Sequence, residues 1–303
     1  VKSYHEPVLA EAAIRALNIR SEGCYVDATF GGGGHSRLIL KALGGEGRLF
    51  AFDQDADAVQ NLPEDDRLVF CPANFRYLWR FLRYYDSLQV DGILADLGVS
   101  SHQLDEAERG FSFRFEAELD MRMNRRAKIP TAADLLNTLS AEQLQELFSR
   151  YGELRNARTL ARAVLRFREA KPIRTVGDFM EVVEACTMGD RRRYQAQVFQ
   201  ALRIRVNDEL GALREFLEQA GRVLKPGGRL VVIAYHSLED RLVKNFLKAG
   251  NVEGRLERDF YGNIRKPWKV LFKKPVVPDE EEVQRNPRAR SAKMRAGEKQ
   301  QVD

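Results

Sequence analysis

Residues 24–53, CYVDATFGGGGHSRLILKALGGEGRLFAFD, decide the fold. Cys24-Tyr25-Val26-Asp27-Ala28 predicts a short buried strand, and Phe30 to Gly34 a loop. Residues 35–43 predict a helix that Gly44-Gly45 ends, and Arg48 to Asp53 a second strand. Near-continuous apolar strands joined by a crossover helix belong to a parallel sheet covered on both faces. The pattern continues outward. Asp55 caps a short helix that stops near Pro63, and Leu68-Val69-Phe70 is a third strand. An aromatic-rich helix follows from Phe75 to Tyr85, and Gly92 to Leu97 is a fourth strand.

From Phe111 to Asn207 the signals are helical. Thr131-Ala132-Ala133-Asp134 and Ser140-Ala141-Glu142-Gln143 resemble capping boxes, the second followed by Leu144, Leu147, Phe148 and Tyr151 on one face. Another amphipathic helix spans 156–170, Thr175 opens a third, and a longer one follows Arg193 and is read as running on towards Leu224. The α/β pattern then resumes: a turn at 224–228, a strand at 229–235 and a helix at 238–248. Residues 268–274 and 289–295 read as a late hairpin at the sheet edge, with a frayed tail from Gly297. The expected class is α/β: a doubly wound, mostly parallel sheet formed by 1–110 and 208–303, interrupted by a helical domain at 111–207.

The chain has 303 residues, 44% apolar and 31% charged, which is globular composition. Cys24, Cys71 and Cys186 are far apart and odd in number, so neither a disulfide framework nor a zinc site is indicated, and a reducing cytoplasm fits. No basic-then-apolar leader opens the sequence, and no apolar run approaches the roughly 20 residues of a membrane span, so no membrane role is expected. The formal net charge is +5. Residues 111–207 hold 18 Lys+Arg against 12 Asp+Glu, a net of +6, and the remainder 31 against 32, a net of −1. A local basic excess suits an anionic partner such as nucleic acid, and equally a solvated arginine-rich helix surface.

The glycine run at 31–34 sits between a strand and a helix, where backbone can approach a ligand and helix N–H groups are free. As a dinucleotide fingerprint it fails: counted from Gly31 or from Gly32, the third glycine position is Ser36 or Arg37. Asp53 ends the second strand and can accept from both hydroxyls of an adenosine ribose, or else cap the segment at Asp55. Asp27 either orders the glycine loop or meets the positive end of a cofactor. Asp96, in Asp96-Leu97-Gly98-Val99-Ser100-Ser101 at the fourth strand's end, can hold an amine or hydroxyl in line with an electrophilic methyl group, or simply cap the strand. Three such features on successive strand ends are more specific together than singly.

Longer stretches add to this: ATFGGGGHS at 28–36, AFDQD at 51–55, DGILADLGVSSHQLDEAERGFSF at 91–113, and LDMRM at 119–123. With His5-Glu6-Pro7-Val8-Leu9, VFQALRIRVNDEL at 198–210, LKPGGRLVVIAYHSLEDRLVK at 224–244 and NPRARSAKMR at 286–295, they cover nearly the whole chain. Together they resemble the RsmH (MraW) family of methyltransferases, which methylate N4 of a cytidine in the decoding region of small-subunit (16S) ribosomal RNA. The resemblance implies a class I (Rossmann-like) AdoMet-dependent methyltransferase fold with an inserted helical domain that engages substrate. It implies S-adenosyl-L-methionine (AdoMet) as methyl donor and the small ribosomal subunit as partner; a homodimer is left open. Carried over position by position, the implied AdoMet contacts are Gly33, Gly34, His35, Asp53, Phe75, Asp96 and Gln103, with Phe75 and Gln103 resting on the resemblance alone. The chain departs from the family pattern at Ala117-Glu118 (usually Gly-Pro), at Leu154 in Tyr151-Gly152-Glu153-Leu154, and at Tyr235 (usually Phe) before His236.

For the reaction, Asp96 is the candidate catalytic group, with its carboxylate or nearby backbone carbonyls accepting from the N4 hydrogens of the target base. Ser100, Ser101 and His236 are candidate substrate contacts, although Ser237 also reads as a helix cap with Glu239 and Asp240 following. Arg122, Arg125, Arg126 and Lys128, and Arg191-Arg192-Arg193, are candidates for RNA phosphates. Met121, Met123 and Phe113 read as core or as the border of the target base, and His5 and His102 as surface or packing residues. No residue pattern argues for a catalytic metal. Rival readings are a methyltransferase of another RNA, a protein or a small molecule, a non-catalytic RNA-binding assembly factor, and, less well, a dehydrogenase.

Overall fold

The structure, a computed structural model, describes residues 7–301. His5 and Glu6 of the first matching stretch lie outside them. The chain divides into two compact units, one made of residues up to Gly98 with those from Leu210, the other of Val99–Glu209.

In the first unit, β1 (Cys24–Asp27), β2 (Arg48–Phe52), β3 (Leu68–Cys71), β4 (Val90–Asp96), β5 (Leu224–Ala234), β6 (Trp268–Val270) and β7 (Lys293–Lys299) form one sheet. Its order is β3-β2-β1-β4-β5-β7-β6. Strands β1 to β5 are mutually parallel, and β7 lies antiparallel to both β5 and β6. This is the expected doubly wound, mostly parallel α/β sheet. The continuous apolar runs bury both faces: Val26, Phe50, Phe52, Ile93, Ala95 and Val232 enter one core, and Tyr25, Leu49, Leu94, Val231 and Ile233 the other. Chain order reverses direction at β1, so the crevice past the carboxyl ends of β1 and β4 is the topological switch point where ligands of such sheets bind.

The second unit packs helices Ala132–Thr138, Ala141–Gly152, Ala157–Ala170, Val176–Cys186 and Arg191–Asn207 around Leu136, Leu144, Phe148, Leu160, Val164, Phe179 and Leu202. Capping boxes at Thr131/Asp134, Ser140/Gln143 and Thr175/Asp178 start three of these helices. Met121 and Met123 are core residues, and Phe113 packs edge-on against Phe199.

Four expectations change. The unit boundary falls at 98/99 and not 110/111, because Val99, Leu104 and Phe111 pack into the helical core. The long helix from Arg191 ends at Asn207: Asp208 adopts the left-handed conformation (φ 48°), and Glu209–Val223 starts anew. The late strands do pair antiparallel at the sheet edge, but with other bounds, Trp268–Val270 and Lys293–Lys299. Pro287 starts a 3₁₀ turn over Pro287–Ser291, and β7 begins only at Lys293. Nor are Gly297 and Glu298 frayed, since they pair on both sides, with β5 and with β6.

Candidate active site

Asp27 closes β1 and is fully buried. It accepts from Thr29 N at 3.1 Å and from Ser36 Oγ at 2.7 Å, and burial raises its pKa. Of its two sequence roles, the geometry supports ordering the glycine loop. Phe30 N donates to Phe52 O at 2.8 Å, and Gly31 N to Asp53 Oδ2 at 2.7 Å, so the loop is braced against β2. Gly33 turns it into the helix Gly34–Ala42 with φ 76°, and a Cβ there would sit 2.8 Å from Phe30 Cζ. Only glycine provides both the left-handed turn and the space.

Asp53, just past β2, is half-buried. Besides Gly31 N, it accepts from Asp55 N at 2.8 Å. An ionised carboxylate offers about four lone-pair sites, so two remain for a pair of hydroxyls. Burial pushes this carboxyl up to about 6. Asp55, and not Asp53, is the N-cap of the turn Ala56–Asn61, and Asp53 holds Asp55 in place. Phe75, beyond β3, is half-buried with its ring edge-on to Phe216 at 5.1 Å.

Asp96 ends β4. Its N–H donates to Thr29 Oγ1 at 2.7 Å, tying β4 to the β1 loop. Tyr235 Oη donates to Asp96 Oδ1 at 2.8 Å, and His35 Nδ1 stands 3.7 Å from Oδ2. His35 Nε2 lies 3.0 Å from Val8 O; a carbonyl only accepts, so Nε2 carries the proton and Nδ1 faces the carboxylate. The Asp96 side chain retains 21% exposure, yet burial still pushes it up to about 6, against the lowering effects of His35 and Tyr235. Tyr235 is the residue that sequence reasoning undervalued. Its departure from the family's usual Phe was the signal, and the added hydroxyl lands on the candidate catalytic carboxylate.

His236, and not Ser237, caps the next helix, Ser237–Ala249. Its Nδ1 accepts from Glu239 N at 3.4 Å, and Nε2 lies 3.2 Å from Glu239 Oε1 without hydrogen-bond geometry. Glu239 Oε2 in turn accepts from Tyr235 N at 2.9 Å. Gly33, Gly34, His35, Asp53, Phe75, Asp96, Tyr235 and His236 thus all belong to the first unit, at or beside the carboxyl ends of its parallel strands.

The other candidates lie in the second unit. Gln103 is buried and closes a capping box with Ser100, which starts the short helix Ser101–Asp105. Arg122 is paired with Asp120 at 2.7 Å, and Arg125 reaches Asp120 at 3.5 Å and Glu108 O at 3.0 Å. Arg191 pairs with Glu184. Arg126, Lys128, Arg192 and Arg193 are exposed. Arg122 therefore holds its own loop, which leaves Arg126, Lys128, Arg192 and Arg193 as the better phosphate candidates.

Residues 2–300 match the sequence profile of the MraW methylase family. Over 298 residues the chain is 59% identical to the ribosomal RNA small subunit methyltransferase H of Parabacteroides distasonis, covering 98% of this chain and 97% of that protein. It is 56% identical to the protein of the same name from Bacteroides thetaiotaomicron, covering 98% of each. Among solved structures it is similar to an rRNA methylase from Streptococcus thermophilus, with 13% identity, a TM-score of 0.40, and coverage of 96% of this chain and 94% of that one.

Proposed function

The chain belongs to the MraW methylase family, and from that premise we propose that it transfers a methyl group from AdoMet to N4 of a cytidine in the decoding region of small-subunit ribosomal RNA. The observation that carries this reading is the near full-length identity to relatives named for small-subunit ribosomal RNA methylation. The site's chemistry supports it. The glycine turn admits a ligand close to backbone, Asp53 has lone pairs open for two ribose hydroxyls, and Phe75 offers a ring beside them. Bound there, AdoMet supplies an electrophilic methyl carbon on a sulfonium sulfur. Asp96 accepts from the N4 hydrogens and orients the nitrogen lone pair towards that carbon; orientation supplies much of the rate. Transfer would form the C–N bond as the C–S bond breaks with its electron pair left on sulfur, and N4 would give up one proton. Asp96, titrating near 6 with His35 beside it, is placed to take that proton.

The inserted unit holds the RNA through Arg126, Lys128, Arg192 and Arg193. Reaching the donor requires the target base to leave its stack. The enzyme works in the cytoplasm, as a monomer or homodimer. No helix among the described residues is long and apolar enough to cross a membrane.

The direct test incubates the chain with methyl-labelled AdoMet and small subunits from cells lacking this activity, then identifies the labelled nucleoside. N4-methylated cytidine is expected; label in protein alone would sink the reading. Asp53→Ala should weaken AdoMet binding roughly 100-fold by calorimetry, the scale of losing charge-assisted hydrogen bonds.

A further inference from the structure

Residues 255–274 of the first unit carry Arg255, Arg258, Arg265, Lys266, Lys269, Lys273 and Lys274 against Glu257 and Asp259, a net of +5 that equals the formal charge of the whole chain. All seven basic residues are exposed. Within this stretch a small hairpin closes through the Arg258–Ile264 bridge, and Arg265 N donates to Glu257 O at 2.9 Å. Its tip presents Phe260, 98% exposed, and Tyr261, 85% exposed, with ring centroids 5.7 Å apart and edge to face.

The tip is braced. Asp259 Oδ1 accepts from Tyr261 N at 2.9 Å and Asn263 N at 2.8 Å, and its Oδ2 from Asn263 Nδ2 at 3.1 Å. Arg258 Nη1 donates to Gly262 O at 2.8 Å, and Gly262 takes φ +85°. The fold has no use for these two rings, since they touch no core. Holding them outward in a rigid turn lowers the entropy cost of engaging a partner.

Both feet of the hairpin stand away from the reacting edge. One follows Ala249, the end of the helix that starts beside Asp96 and runs back along the sheet; the other is Trp268, level with Lys299 at the far end of β7. Next to it, Glu298 pairs with Arg229, midway along β5. Tyr235 lies past the carboxyl end of that strand, about 20 Å from Arg229 at roughly 3.3 Å per residue.

We infer that this hairpin is a second RNA-holding element, stacking unpaired bases of small-subunit ribosomal RNA on Phe260 and Tyr261 and pairing the flanking phosphates with its basic residues, at a stretch separate from the target cytidine. Base stacking on exposed aromatics beside arginine and lysine is the chemistry of single-stranded nucleic-acid contacts. The inference rests on the reading that small-subunit RNA is the substrate.

The test compares the full chain with a Phe260→Ala/Tyr261→Ala variant and, separately, an Arg265→Ala/Lys266→Ala variant. Two substrates are used: whole small subunits, and a short RNA carrying only the target loop. For the aromatic variant, affinity for subunits, read by sedimentation without turnover, should fall roughly tenfold, the effect of losing a stacked base. The KM for subunits should rise likewise, while kcat, AdoMet affinity and melting temperature stay at the wild-type values. On the short RNA the variants should match the wild type. A photo-crosslinking residue at 260 should label ribosomal RNA. Unchanged subunit affinity, an equal loss on the short RNA, a crosslink to ribosomal protein alone, or hairpin-dependent binding to anionic vesicles in place of subunits would each overturn the inference. A wild-type chain that binds subunits through the hairpin yet methylates no cytidine would leave it standing and sink the reaction proposed above.

Discussion

Tyr235 donates to the same carboxylate whose burial raises its pKa to about 6, so its hydroxyl works against that rise by favouring the charged form. Tyr235→Phe removes the donor. The pKa of Asp96 then climbs further, and the acidic limb of kcat/KM against pH moves to higher pH; an unmoved limb would show that Asp96 ionisation does not govern the rate. The same residue predicts a stability signature. Asp96 titrates higher in the folded chain, at about 6 against 3.8 unfolded, so its contribution is fully present below pH 3.8 and is lost as pH rises through 6. Asp96→Asn carries no such loss. Urea unfolding should find it more stable than wild type at pH 8, with the gap closing by pH 4, while methyl transfer fails; parallel profiles would refute the linkage. The places of Asp53 and Asp96 at strand ends were legible in the sequence because continuous apolar runs mark where β2 and β4 stop. Tyr235 and Thr29 were not, because a hydrogen bond across strands depends on register, which no local pattern encodes.

At the scale of elements, the glycine turn is the least replaceable piece. Gly33→Ala places a Cβ against Phe30 in a left-handed backbone. About 1–2 kcal/mol of conformational strain is expected before any steric shift, together with weaker AdoMet binding, both measurable by urea titration and calorimetry. In the helical unit, Ser140→Ala removes one capping box and should cost about 1 kcal/mol. The helix starts at Thr131, Ser140 and Thr175 were read well because capping is local chemistry: a side chain three residues from its partner. Helix and strand ends were read less well. The break at Asp208 is a single left-handed residue without a glycine, and β7 was misplaced because Lys293, Arg295, Glu298 and Lys299 hide an inward row of Met294 and Ala296. A sheet neighbour, not residue type, makes that segment a strand.

Across the whole molecule, charge is distributed differently from what a split at the helical segment suggests. Outside 111–207 the net of −1 conceals the +5 stretch at 255–274. Several arginines inside the helical unit are meanwhile tied to Asp120 or Glu184. Binding to small subunits should therefore weaken steeply with salt. The log–log slope should lessen by about 0.7–0.9 for each phosphate contact removed, whether from the hairpin or from Arg126, Lys128, Arg192 or Arg193. Salt-insensitive binding would discard both basic surfaces.

The sheet order also sets a timetable. Val90 pairs with Leu224, so one pair of neighbouring strands waits while the ribosome makes everything in between. β5 carries the approach to Tyr235, and its outer flank stays bare until β7, the last of these strands to be synthesised, slides in against it. A nascent chain stalled before Lys293 holds the glycine loop, Asp53 and Asp96 but lacks the strand that flanks β5. The sheet that carries the glycine loop, Asp53 and Asp96 is thus complete only once its final strand, Lys293–Lys299, has left the ribosome.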